Sequence, residues 1–330
     1  TPLAAYGAML LCGFAISIKQ TCLFEGVFFG LWMIWLIAKR SRNPLLTLRT
    51  TIAFGILGAF PIAMFGMWYA VNGHFAELWF ALITSNIARP PIQTWAGFHN
   101  FGILLHATAI IMIAAVSALV MVKRYPQFEP YRPFMLGWLI AAAIGMASVG
   151  SFLDHHAIPF AVPLCSIAAV HYGESRAGTI LGLTVGFSSM VLANPFDFET
   201  HRHSRDDYRA MQSIIASNRG NGTIFIFDGP PLLYAEPGVR SMTTLLFPSF
   251  LNSESEQGTT FIDQTVEVSR ILAQRPSTVV MMMDNRWPLQ QKDDAAVQAY
   301  VRTSCTMSLV THRWHIRERV VPVITYVGCR

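Results

Sequence analysis

Charge is what this sequence has least of. Only 13% of its 330 residues are Asp, Glu, Lys or Arg, about half the usual share in soluble domains, while 53% are hydrophobic. The charge is also unevenly spread. Residues 1–194 hold ten Lys/Arg and five Asp/Glu, and residues 195–330 hold fourteen of each. The net charge of +5 therefore belongs to the first part, where basic membrane loops account for it and a polyanion partner is not required. Nucleic acid is not an expected partner. Cysteine is scarce too. Cys12, Cys22 and Cys165 lie in or beside apolar runs with no metal-ligand spacing, whereas Cys305 and Cys329 both fall in the polar tail. Those two are candidates for a disulfide if the tail occupies an oxidising compartment. Also missing are a phosphate-binding Gly-rich loop, a Gly-x-Ser-x-Gly elbow and a His-Glu-x-x-His zinc motif. The chain opens at Thr1-Pro2 without a basic region before its first apolar run, so it is not read as a signal peptide. The expectation is a membrane protein read from partway along, with earlier spans missing.

What is present is a series of long apolar runs. The clearest pair flanks Ser151-Phe-Leu-Asp154-His155-His156: Phe134–Gly150 on one side and Ala157–Tyr172 on the other. Each approaches the length a helix needs to cross a hydrocarbon core of roughly 30 Å, and neither carries the polar stripe of a soluble core helix. Similar runs at 3–18, 23–38, 51–71, 101–122 and 178–194 bring the expected number of spans to seven. Between 72 and 100 the sequence reads as a long, aromatic-rich loop with Trp79, Arg89 and Trp95. The basic residues sort by side. Lys39, Arg40, Arg42, Arg49, Lys123, Arg124, Arg132 and Arg176 fall on one face, and Lys19 and Arg89 on the other. The positive-inside rule makes the first face cytoplasmic. The 154–156 turn, the 72–100 loop and the whole tail then lie outside.

After Asn194 composition changes. Helical patterns at 206–218, 259–274 and 293–302 alternate with strand-like runs at 223–228, 277–284 and 320–327. The fold class expected is thus a polytopic α-helical membrane bundle over 1–194 and an extracytoplasmic α/β domain over 195–330.

Candidate functional residues are the few polar groups near the ends of apolar runs. Asp154, His155 and His156 are open to three readings: a wetted turn, a metal site, or contact with an anionic or sugar substrate. Lys19 and Arg89 either extend to the interface as snorkelling cations or supply point charges to a lipid-linked phosphate. Glu25 lies about one turn inside the second run, where an unpaired carboxylate is costly. Its expected partner is Lys19 or a group upstream of the chain. His106 and His171 read as hydrogen-bonded packing residues. Asp228 and Asp284 follow strands, a position shared by turn caps and by α/β sites.

The order of these parts resembles the membrane glycosyltransferases of the GT-C superfamily, in particular the bacterial branch related to protein O-mannosyltransferases and lipid A aminoarabinose transferases. The resemblance rests on Ile18-Lys19-Gln20-Thr21 opening a span, on Gly73-His74-Phe75 and Asn86-Ile-Ala-Arg89 in an outer loop, and on His155-His156-Ala-Ile-Pro-Phe-Ala-Val-Pro-Leu. It rests also on Leu233-Tyr234-Ala-Glu-Pro-Gly-Val-Arg240 in the tail. The resemblance implies sugar transfer from a polyprenyl-phosphate donor to a lipid, glycan or protein acceptor at the outer face of a bacterial inner membrane. It also implies that Lys19 and Arg89 face the donor phosphate, that Asp154 and His155 line the same outer cavity, with His156 and Glu25 among the substrate-binding residues, and that the catalytic carboxylate lies upstream of Thr1. A divalent cation is left open as cofactor. The competing classes are a multi-pass transporter, which needs charges or broken helices near the midplane, and a membrane-anchored binding or sensor protein.

Overall fold

The computed structural model describes residues 2–88, 94–149, 152, 154–218, 222–282, 289–316 and 319–330. The chain divides into two compact units: Thr1–Phe75 with Pro91–Ala193, and Ala76–Pro90 with Asn194–Arg330. The boundary near residue 194 coincides with the change in composition. Part of the expected outer loop groups with the tail instead of with the helices around it.

The first unit is helical: α1 (Pro2–Ile18), α2 (Cys22–Ser41), α3 (Pro44–Val71), α6 (Thr94–Val120), α7 (Arg132–Val149), α8 (Ile158–Gly173) and α9 (Arg176–Ala193). Their ends fall at the scarce polar residues. Asn43 caps α3 by accepting from the Leu45 and Leu46 amides at 3.0 and 3.2 Å, with Pro44 at the first helical position. Arg42 takes the left-handed conformation that stops α2 (φ 50°). The exposed sides of these helices remain apolar, as at Leu31, Ile56, Phe60, Ile113, Leu183 and Phe187, the reverse of a soluble helix.

Among the described residues four stretches are long and apolar enough to cross a membrane: Cys22–Ser41, Pro44–Val71, Gly97–Val120 and Glu129–Val149. This is fewer than the seven expected from the sequence. For two of the others the difference is one of length. At 1.5 Å per residue, the 17 residues of α1 and 16 of α8 span only about 24–26 Å, short of a core of roughly 30 Å.

Small residues let these helices approach closely. A Cβ added to Gly13 of α1 would lie 2.5 Å from the Gly58 carbonyl of α3. Between α6 and α8, Ala114, Ala115 and Ala118 pack against Leu164, Ile167 and Ala168. At the end of that contact His171 Nδ1 meets the Tyr125 hydroxyl at 2.9 Å and the Ser117 hydroxyl at 3.3 Å, the hydrogen-bonded packing role the sequence suggests. On α2 and α7, Phe28, Phe29, Trp32, Phe134 and Trp138 form one aromatic cluster with centroids 5.4–6.1 Å apart.

The second unit is a layered α/β domain. Its sheet comprises β1 (Thr223–Ile226), β2 (Arg240–Ser241), β3 (Thr278–Met282), β4 (Met307–Ile316) and β5 (Arg319–Val327) in the order β2-β1-β3-β5-β4. The pairs β1–β2 and β1–β3 are parallel, while β3–β5 and β4–β5 are antiparallel. Central strands covered on both faces need unbroken apolar runs, and Ile224, Phe225, Ile226, Val279 and Val280 are all buried. On one face Phe225, Phe227, Val279 and Met281 pack with α12 (Gln264–Ala273) and α13 (Gln291–Ser304), through Val268, Ile271, Val297 and Val301. On the other, Ile224, Ile226, Val280 and Val323 pack with Met211 and Ile215 of α10 (Phe198–Asn218). Cys305 and Cys329 form a disulfide beside the first of these cores.

Segment 75–88 is also helical: α4 (Phe75–Trp79), a π-turn at Phe80–Thr84, and α5 (Ser85–Ala88). Where the sequence predicts a loop, the structure has a helix. The short α11 (Ser249–Asn252) completes the second unit.

Candidate functional site

Two turns meet at one end of the first unit. The α1–α2 turn is Lys19-Gln20-Thr21, and the α7–α8 connection ends in a 3-10 turn at Asp154–His156. The Lys19 ammonium donates to the His155 carbonyl at 2.8 Å, joining residues 136 positions apart. The His155 and His156 rings stand edge to face with centroids 4.1 Å apart. Packing of α7 on α2 supports this arrangement. A Cβ on Gly145 would come within 3.0 Å of the Thr21 carbonyl, so a larger residue there would push α7 away from the turn that carries Lys19.

Glu25 sits about one helical turn below. Its Oε1 accepts from the Trp138 indole N–H at 2.6 Å, a charge-assisted hydrogen bond. This corrects one of the two expected pairings: among the described residues Glu25 forms no ion pair with Lys19. The reason is geometric. The ammonium of Lys19 reaches across to the α7–α8 turn, while Glu25, further into α2, faces the aromatic cluster of α7.

Of the predicted residues, then, the structure brings Lys19 and His155 into contact and places His156 against His155. Glu25 is on the same helix pair but tied to Trp138. Arg89 and the side chain of Asp154 lie outside the described residues. Two residues escaped the sequence reading. Trp138 carries an N–H that an apolar span must satisfy, a signal that was legible. Thr21 has a buried hydroxyl with no hydrogen-bond partner among the described residues, which its place in the Lys19-Gln20-Thr21 turn does not foretell. Chemically, an ammonium with one of its three protons committed to a backbone carbonyl keeps two with which to bind an anion. Among the described residues no group of three or more His, Cys, Asp or Glu side chains is placed to hold a metal ion.

The second unit has its own polar cluster at the carboxyl end of the parallel strands. Asp228 follows β1, and Asn252 donates its amide to the neighbouring Phe227 carbonyl at 2.7 Å. Burial, with Asp294 nearby adding like charge, pushes the Asp228 carboxyl up to about 6, against a hydrogen bond from Asn252 that lowers it. Asp284 lies outside the described residues. On α10, the Tyr208 hydroxyl donates to Glu236 at 2.8 Å and Gln212 donates to the same oxygen, so Glu236 of the Leu233–Arg240 stretch buttresses the helix. Burial and this carboxylate push the Tyr208 phenol up to about 12.

No family model, curated protein or solved structure matches the chain.

Proposed function

We propose that the chain is a membrane glycosyltransferase that takes a sugar from a polyprenyl-phosphate donor and delivers it to an acceptor at the outer face of the membrane. On this reading seven helices cross the bilayer, the three shorter ones with local thinning, and the second unit is extracytoplasmic. The observation that supports it most is the contact of Lys19 with the His155 carbonyl, which brings a cation to the turn that carries two histidines at one end of the helical unit. The leaving phosphate of such a donor sits at the interface, and stabilising its developing charge needs a fixed cation there. The disulfide supports an oxidising compartment for the second unit.

The test is binding of polyprenyl phosphate to the purified protein, followed by native mass spectrometry. Lys19→Ala should weaken binding about tenfold, the effect of removing one charge-assisted contact of roughly 1.5 kcal/mol, and Lys19→Arg should retain most of it. Equal affinity in Lys19→Ala would remove the assignment.

One observation favours a transporter instead: Glu25 is a carboxylate inside an apolar helix, held by Trp138, and intramembrane carboxylates serve proton-coupled carriers. Under that reading Glu25→Gln abolishes pH-driven solute flux in proteoliposomes. Under the transferase reading no such flux exists to abolish.

A further inference from the structure

Segment 75–88 leaves one line of large apolar side chains in the open. Phe75 is 47% exposed, Trp79 54%, Ile83 40% and Ile87 80%, at a strict spacing of four residues. In a regular α-helix each step of four overshoots a full turn by about 40°, so such a stripe would wind around the axis. The π-turn at Phe80–Thr84 is wider than an α-turn and offsets that drift, which keeps the four side chains close to one line. The other sides of the segment differ. Glu77 is exposed, Ser85 is buried and bonds back to the Ala81 carbonyl at 2.8 Å, and Phe80 stands edge to face with Phe261 of the second unit at 5.5 Å.

The chain on either side says what covers the stripe. Only Asn72, Gly73 and His74 separate Val71, the end of the 28-residue apolar α3, from Phe75. Three residues reach about 10 Å at full extension, so the segment cannot leave the surface into which α3 emerges. Downstream, the apolar stretch Gly97–Val120 begins nine residues after Ala88. We propose that residues 75–88 form an amphipathic helix lying in the lipid–water interface, with Phe75, Trp79, Ile83 and Ile87 sunk among headgroups and upper acyl chains. Phe80 faces the rest of the second unit through Phe261. Glu77 is the segment's one charged side chain before Arg89, so the attraction is apolar and its strength does not depend on anionic lipid. Trp79 holds the level at which the helix floats, as interfacial indoles do.

An interfacial position for this helix requires α3 and α6 to cross a bilayer and is independent of sugar transfer. It is tested with nitroxide labels on Ile83→Cys, Ile87→Cys and Glu77→Cys in a background where Cys12, Cys22 and Cys165 are replaced by Ala and the disulfide is kept. A fourth label on Ile113→Cys reports on α6. In liposomes of phosphatidylcholine, with or without anionic lipid, the labels at 83 and 87 should collide several-fold more with oxygen than with a water-soluble nickel complex, and the label at 77 should show the reverse. Two positions on the stripe guard against a single substitution that perturbs folding. Aqueous accessibility at 83 and 87 with a lipid-exposed label at 113 would overturn the interfacial helix alone. Aqueous accessibility at all of these positions would overturn the membrane-crossing reading with it. A stripe that enters the bilayer only when anionic lipid is present would also contradict the proposal.

Discussion

A carboxyl group that loses hydration at a strand end holds its proton more tightly, and Asp228 is such a group, raised from 3.8 to about 6 chiefly by burial. Because its folded-state value is the higher one, its contribution to stability is complete below about pH 4 and is lost as pH rises through 6. The rise is worth at most on the order of 3 kcal/mol. Asp228→Asn should therefore leave thermal stability near wild type at pH 4 and raise it at pH 8. A difference of equal size at both pH values would show that desolvation of the charged form is not the cause. At this scale the sequence disclosed identities better than partners. Lys19, Glu25 and the 155–156 pair stood out as rare polar residues in apolar surroundings. That Glu25 bonds Trp138 and Lys19 bonds the His155 carbonyl depends on contacts 113 and 136 residues apart, which no local pattern encodes. The hydroxyl of Thr21, buried and without a hydrogen-bond partner among the described residues, became notable only in three dimensions.

Close backbone approach joins α1 to α3 in the first unit, at Gly13. Gly13→Ala would drive a methyl group against the Gly58 carbonyl and the Pro61 ring, and backbone cannot yield as a flexible side chain does. Overpacking of this kind costs about 1–3 kcal/mol and should lower the melting temperature in detergent. Gly55→Ala, with open space around its added carbon, is the control and should be neutral or slightly stabilising through helix propensity. A neutral Gly13→Ala would refute the α1–α3 contact. The long apolar elements were legible because length and hydropathy alone define them, and the strands at 223–226 and 278–282 because apolar β-branched runs end at turn residues. Two elements were not. Segment 75–88 mixes aromatic and polar residues around a π-turn, which spoils the 3.6 period on which helix recognition relies. β4 reads as Met307-Ser-Leu-Val-Thr-His-Arg-Trp-His-Ile, too polar for the buried-strand pattern that revealed its neighbours; pairing along the length of β5 accounts for it.

At the scale of the whole molecule, the division by charge is a division by architecture. The charge-poor part makes a helical unit with apolar outward faces, and the balanced part makes a sheet covered by helices on both sides. The disulfide closes the end of the second unit, linking the last turn after α13 to the residue beyond β5 across 24 positions. Restricting a loop of that length in the unfolded chain stabilises the fold by about 3 kcal/mol. Replacing both cysteines with Ser should lower the unfolding free energy by that amount in a denaturant titration, and the same loss should follow reduction of the wild type. An unchanged midpoint would mean the bond contributes nothing to the native state. The transfer proposal and the role given to Lys19 both require the second unit and the 154–156 turn to share the outer compartment. The most direct measurement is labelling of intact spheroplasts with a membrane-impermeant maleimide, using Glu254→Cys and Lys123→Cys in a background lacking Cys12, Cys22 and Cys165. The account predicts labelling at 254 before permeabilisation and at 123 only after it. Labelling at 123 with protection at 254 would contradict it.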